Sequence, residues 1–119
     1  MRISHSAIFI AAVTCCLSAV AQANPAQEKL LAASEQQRQS ILAAYLAKAG
    51  EKCSGVTKTF YQGSDHRGNV FWNATCAEDN SFVIQIFNNE INSIRVLDCK
   101  RLQEITGGTC FTKFKTPAS

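Results

Sequence analysis

The spacing of apolar residues changes at Gly50, from the period of a helix to the alternation of strands. Before this glycine, residues 25–49 are rich in Ala, Leu, Gln, Glu, Lys and Arg, a composition typical of helices. Asn24 can cap this segment, Pro25 suits its first turn, and Gly50 can end it in a left-handed conformation. The pattern therefore predicts one N-terminal helix. Its apolar stripe is strongest in the second half, at Ile41, Leu42, Tyr45, Leu46 and Ala49.

The first half of the predicted helix is more polar than the second. Residues 34–39 contain no apolar side chain. We expect this half to be exposed and prone to fraying, with Leu30 and Leu31 making a weak secondary contact.

Four short alternating runs follow Gly50, separated by segments rich in turn-forming residues. The runs cover residues 56–62, 69–77, 81–87 and 93–99. Their separators are short enough for hairpins, so we expect an antiparallel meander. A short helical turn over 100–106, ended by Gly107 and Gly108, and an extended piece over 110–115 complete the chain. The fold class is α+β, with the N-terminal helix packed on the four-stranded sheet.

The first 23 residues have the features of a signal peptide. Arg2 precedes an apolar run over 7–20, and Ala21-Gln22-Ala23 has the small-x-small pattern of a cleavage site. The run is too short for a stable membrane span. We expect residues 1–23 to be cleaved, leaving residues 24–119 as a single small domain that is periplasmic or secreted and has no stable membrane span.

The six cysteines divide between the leader and the body. Cys15 and Cys16 leave with the leader, and the other four can form two disulfides in an oxidising compartment. In the meander, Cys53 precedes strand one and Cys76 ends strand two, which makes them neighbours. Cys76 and Cys99 are two strand spacings apart, about 9–10 Å, beyond the roughly 7 Å that a disulfide allows. The favoured pairing is Cys53–Cys76 and Cys99–Cys110.

Charge and motif content narrow the function classes. The chain has 12 basic and 9 acidic residues, and its only basic clusters are Lys100-Arg101 and Lys113 with Lys115. Nucleic-acid binding would require a more concentrated basic stripe. The cysteine spacings match neither a zinc site nor a redox pair. We expect no cofactor, no metal and no catalytic residues, because hydrolase and metal signatures are missing.

Alternation assigns the strand residues to two faces of the sheet. The core face is expected to carry Trp72, Ala74, Phe82, Ile84, Ile86, Ile94 and Val96. In strand one, Val56 with Phe60 and Thr57 with Tyr61 compete for the inward side.

The second face is too apolar for one exposed to solvent. Its residues are Phe71, Asn73, Thr75, Val83, Gln85, Phe87, Arg95 and Leu97. One explanation is that Phe111 and Phe114 fold back across it. The other is a partner surface, either for another envelope or secreted protein or for a second copy of the chain. The candidate partner surface consists of Phe71, Val83, Phe87, Arg95 and Leu97.

The connection between the first two strands is a second candidate contact. Asp65, His66 and Arg67 form the densest charged group in the body, between Gly63 and Gly68. A single loop histidine is more often solvated than catalytic. We therefore expect a protein-binding module, such as an inhibitor, immunity protein or accessory subunit. The alternative is a structural or assembly protein of the envelope that acts as a homodimer, and an enzyme is the least supported class.

Overall fold

A computed structural model describes residues 23–115. The predicted leader, apart from Ala23, lies outside the described residues, as do residues 116–119. The helices are α1 (Pro25–Ala32), α2 (Glu35–Lys48) and α3 (Cys99–Thr106). The strands are β1 (Val56–Ser64), β2 (Val70–Cys76), β3 (Ser81–Ile86) and β4 (Ile94–Asp98).

The N-terminal helical region is two helices, where the sequence predicts one. Ser34 caps α2: its hydroxyl accepts the N–H of Gln37, and the Gln37 side chain accepts the N–H of Ser34. This capping box provides hydrogen-bond acceptors for backbone N–H groups at the start of a new helix, and so favours a break at this position. Arg38 closes the junction by donating to the carbonyls of Leu30 at 3.0 Å and Ala33 at 3.1 Å.

The expectation that the first half is exposed and weakly held is wrong for α1. Leu30 is completely buried, and Ala26 and Gln27 are buried with it. Asn24 caps α1 as predicted, accepting the N–H groups of Ala26 and Gln27. Its amide also donates to the carbonyls of Gly68 and Ile86. Because α1 is tied to the sheet at its cap, the short helix packs against the core.

The C-terminal end of α2 has the predicted glycine termination. Gly50 has a φ of 80°, and the N–H of Glu51 donates to the carbonyl of Leu46. These are the features of a Schellman motif, which only a residue tolerant of positive φ permits without strain. The chain then turns toward β1.

The four strands form one antiparallel sheet in the order β1-β2-β3-β4, which confirms the meander. Trp72 lies opposite Tyr61 on one side and Ile84 on the other, and Ile84 lies opposite Val96. The predicted core face is confirmed, because its members are buried or pack against the buried cluster. Trp72, 2% exposed, donates its indole N–H to Gln27 at 2.7 Å.

Strand β1 follows neither of the two competing assignments in full, because one residue of each points inward. Register shifts between Val56 and Lys58, and between Tyr61 and Gly63, break the alternation. The first bulge adds one residue, so Val56 and Tyr61 both reach the core while Phe60 lies on the second face. The extra residue explains why a single register could not be chosen from the sequence.

Both predicted disulfides are present. Cys53–Cys76 and Cys99–Cys110 join Cα atoms 5.3 Å and 6.0 Å apart. The predicted helical turn is α3, whose N-cap Asp98 accepts the N–H groups of Lys100 and Arg101. Gly107 ends α3 with a φ of 75°. Residues 110–115 form a turn and irregular backbone rather than a strand. No helix within residues 23–115 has the length and hydropathy needed to cross a membrane.

Candidate partner-binding surface

The C-terminal segment, residues 107–115, returns across the second face over β1 and β2. The side chain of Asn73, fully buried in β2, accepts the N–H of Phe111 at 2.8 Å. Gln62 in β1 donates to the carbonyl of Thr112 at 2.6 Å and accepts the N–H of Phe114 at 3.1 Å. Two buried amides therefore hold the segment through its backbone.

Aromatic rings and ammonium groups hold the same segment. The ring of Phe111 lies 6.1 Å from that of Phe60, and Lys58 Nζ lies 4.5 Å from the Phe111 centroid. Lys113 Nζ donates to the carbonyls of Tyr61 and Gln62, both at 2.9 Å. Phe111 has a φ of 65°, a conformation that costs a bulky residue about 1–2 kcal/mol. These contacts offset that cost, and Phe111 covers part of the second face, as the first explanation expected.

The rest of the second face remains partly open, over β2, β3 and β4. One row of side chains crosses it: Gly63 lies opposite Phe71, Phe71 opposite Gln85, and Gln85 opposite Arg95. Phe71 and Gln85 are half-buried and Arg95 is exposed. Phe87, also half-buried, follows β3. We call Phe71, Gln85, Phe87 and Arg95 the open strip.

The other two residues of the predicted partner surface lie beside α3. Val83 in β3 pairs with Leu97 in β4, and α3 packs against both strands. Val83 is 7% exposed, so its side chain is not accessible to a partner. Leu97 is half-buried. The accessible part of the predicted surface is therefore Phe71, Phe87 and Arg95, with the edge of Leu97.

A free space lies next to Phe71. Its cross-strand neighbour Gly63 has a φ of 132°, and a β-carbon placed there would have no heavy atom within 4 Å. Because Gly63 has no side chain, Phe71 has no cross-strand side-chain neighbour at its paired position in β1. An apolar side chain of a partner could occupy this space while a carboxylate contacted Arg95.

The predicted contact loop lies at the same end of the sheet. Asp65 accepts the N–H groups of Arg67 and Asn69 and the side-chain amide of Asn69. Desolvation raises the pKa of Asp65, but these hydrogen bonds and the nearby His66 outweigh it. The pKa lies below its ordinary value of 3.8. The carboxylate thus orders the loop, while His66 and Arg67 are exposed.

His66 and Arg67 also line a cleft of about 400 Å³ between α1 and the first hairpin. Leu31 of α1, 57% exposed, and Tyr61 of β1 contribute apolar surface to its wall. The loop adjoins the open strip. Asn88, which directly follows Phe87, donates its side-chain amide to the backbone carbonyl of Arg67 in the loop. The structure thus places the predicted contact loop and the open strip at one end of the sheet.

The two disulfides leave no cysteine thiolate within residues 23–115 that could bind a metal ion. Within the part of the chain that the structure describes, one group of possible metal ligands is close enough to share an ion: Cys53, Cys76 and Glu78. The two cysteines are bonded to each other. Both oxygens of Glu78 accept the N–H of Ser54, which gives the carboxylate a local structural role.

Two features of the surface were missed from the sequence. The buried amide pair Gln62 and Asn73 was not recognised, although an Asn on an otherwise apolar face was a possible signal. The exposed apolar residues Leu31, Ile91 and Ile105 were also not singled out as surface residues. No protein-family model, curated protein or solved structure matches the chain.

Proposed function

We propose that the protein is an exported, non-catalytic module that binds another envelope or secreted protein, as an inhibitor, immunity protein or accessory subunit. The open strip is the observation that carries this proposal. The C-terminal segment covers β1 and the adjoining part of β2, yet Phe71 and Phe87 remain half-buried beside the exposed Arg95. A partly open aromatic pair with an arginine is typical of a protein-binding surface.

The covalent structure supports a periplasmic or secreted location. All four cysteines after residue 23 are used in two disulfides, which persist in oxidising compartments. The sequence pattern of residues 1–23 supplies a route to such a compartment. Small exported domains commonly rely on such cross-links because their cores are modest.

The side-chain chemistry supports binding rather than catalysis. His66 is the single histidine after residue 23, and it lies in an exposed loop. The adjacent Asp65 is bonded to its own loop, so it does not orient the imidazole as a catalytic partner would.

The alternative is that a second copy of the chain covers the open strip, in an envelope assembly role. The row from Phe71 to Arg95 ends at β4, an edge strand within the described sheet. Two copies could join there. Light scattering at micromolar concentration distinguishes the alternatives, since a partner-binding module is monomeric in isolation.

Affinity capture from an envelope extract of the source cells tests the proposal. We expect Phe71→Glu and Phe87→Glu to lose the captured protein while keeping the fold by circular dichroism. The matched control is Ile91→Glu, which places the same charge on an exposed apolar residue beside the C-terminal end of α2. Equal capture by Phe71→Glu and Ile91→Glu would contradict the proposal.

A further inference from the structure

The two basic clusters of the sequence lie in one layer of the structure. Lys100 and Arg101 begin α3, which packs against β3 and β4. Lys113 and Lys115 belong to the C-terminal segment, which lies over β1 and β2. The Cys99–Cys110 disulfide joins the two elements at a Cα separation of 6.0 Å.

Two further cations lie on the same side of the sheet. Lys58 contacts the Phe111 ring on the second face, and Arg95 ends the open strip. We call the six residues the basic layer: Lys58, Arg95, Lys100, Arg101, Lys113 and Lys115. The acidic residues in or next to α3 and the C-terminal segment are Asp98 and Glu104, and the Asp98 side chain accepts the N–H groups at the start of α3.

Charge is therefore distributed unevenly across the fold. The basic layer has six cations and two carboxylates, whereas the rest of residues 23–115 has five cations and seven carboxylates. Within these residues the one salt bridge joins Arg38 and Glu35. No cation of the basic layer forms a salt bridge with a carboxylate of residues 23–115.

The positions of Lys100 and Arg101 cost α3 stability. Both lie in its first turn, which contains no acidic residue. The positive end of the helix dipole favours carboxylates there and disfavours cations. Local choices that oppose stability are expected mainly where they serve function.

We propose that the basic layer binds an acidic surface of the partner protein, next to the open strip. This inference rests on the proposed function and adds the partner's chemistry: carboxylates that contact Lys100, Arg101 and Arg95, and an apolar side chain against Phe71. A lipid surface fits less well, because a helix that binds a membrane surface presents a broad apolar face to it. Ile105 is the single exposed large apolar residue of α3, and the acidic Glu104 lies beside it.

Binding of a defined probe tests the charge requirement. The probe is a labelled peptide of clustered glutamates around one phenylalanine, measured by fluorescence anisotropy with purified protein. We expect Lys100→Glu with Arg101→Glu to weaken binding about tenfold, and Lys29→Glu with Lys48→Glu to weaken it less than about twofold. The control pair makes the same charge change on exposed residues of α1 and α2.

Three results would overturn the inference: no binding of the peptide, equal weakening by the two variant pairs, or tighter binding to phosphatidylcholine vesicles containing phosphatidylglycerol than to the peptide. The capture assay distinguishes a failure of this inference from a failure of the proposed function. If Lys100→Glu with Arg101→Glu retains the captured protein and Phe71→Glu loses it, the acidic partner is wrong and the binding module stands. If both retain it, both proposals fail.

Discussion

Gln62 donates its side-chain amide to the side-chain oxygen Oδ1 of Asn73 at 2.7 Å, joining β1 and β2 across the buried part of the second face. The same two side chains accept backbone N–H groups of the C-terminal segment: Asn73 accepts that of Phe111, and Gln62 accepts that of Phe114. This amide pair therefore determines which half of the second face is covered and which half stays open for a partner.

Replacing Asn73 by Ala should destabilise the protein by about 2–3 kcal/mol. The change removes the acceptor for the part-buried N–H of Phe111 and one of the two acceptors of the buried Gln62 amide. Urea unfolding measures the loss. The control is Gln103→Ala, an exposed change on α3 expected to shift stability by less than about 0.5 kcal/mol. Equal stability of the two variants would show that the amide pair is dispensable.

Replacing Cys99 and Cys110 by Ser should release the C-terminal segment. The lost cross-link should cost about 3 kcal/mol by chain entropy, and a similar loss is expected for Cys53 with Cys76. Only the replacement of Cys99 and Cys110 should uncover Phe60 and the adjoining part of the second face. Binding of an apolar dye under native conditions should therefore rise for the Cys99 and Cys110 variant alone. A rise in both variants would indicate general loosening instead.

Glu35 should make stability depend on acid pH. Desolvation raises its pKa, but hydrogen bonds from Thr59 and Gln39, with the charge of Arg38, lower it below the ordinary value of 4.5. A carboxylate whose pKa is depressed by folding stabilises the protein above its unfolded pKa. That contribution is lost as the pH falls through the folded value.

The expected result is that wild type exceeds Glu35→Gln in stability at pH values above 4.5 and that this difference narrows on acidification. Urea unfolding at a series of pH values measures it. Thr59→Val, which removes one of the hydrogen bonds, should show a smaller effect of the same sign. A difference that does not change with pH would contradict the assigned bonds.

Reversing the charges at the start of α3 should stabilise the protein. Lys100→Glu with Arg101→Glu places carboxylates at the positive end of the helix dipole, worth about 0.3–1 kcal/mol each at low salt. The pair Lys29→Glu with Lys48→Glu should have the opposite effect, because these residues lie in the last turns of α1 and α2. Thermal unfolding at low and high salt measures both, and changes of the same sign would contradict the argument.

The sheet and the disulfides could be predicted because period-two alternation and cysteine positions are local signals. The helix break could not be chosen by composition, since residues 33–34 lie within a helix-compatible run. The sequence signal for the break was the spacing of Ser34 and Gln37, which matches a capping box at the start of a new helix. The bulge after Val56 depends on how β1 fits both the core and β2, which no single strand pattern records.

The extent of the candidate surface needed the tertiary structure. Alternation assigns Asn73 and Phe71 to the same face, yet one is fully buried and the other half-buried. The difference arises because the C-terminal segment contacts Asn73. The basic layer was equally hidden, since Lys58, Arg95 and the two clusters are far apart in the sequence.

Site-specific photo-crosslinking in the source cells tests whether the open strip contacts another protein. A photoreactive phenylalanine analogue is placed at Phe71 in the open strip, and at Lys29 on the exposed side of α1 as the control. We expect one dominant adduct with a second protein from position 71 and none from position 29. No adduct from position 71, or the same adducts from both positions, would show that the open strip is not a partner-binding surface.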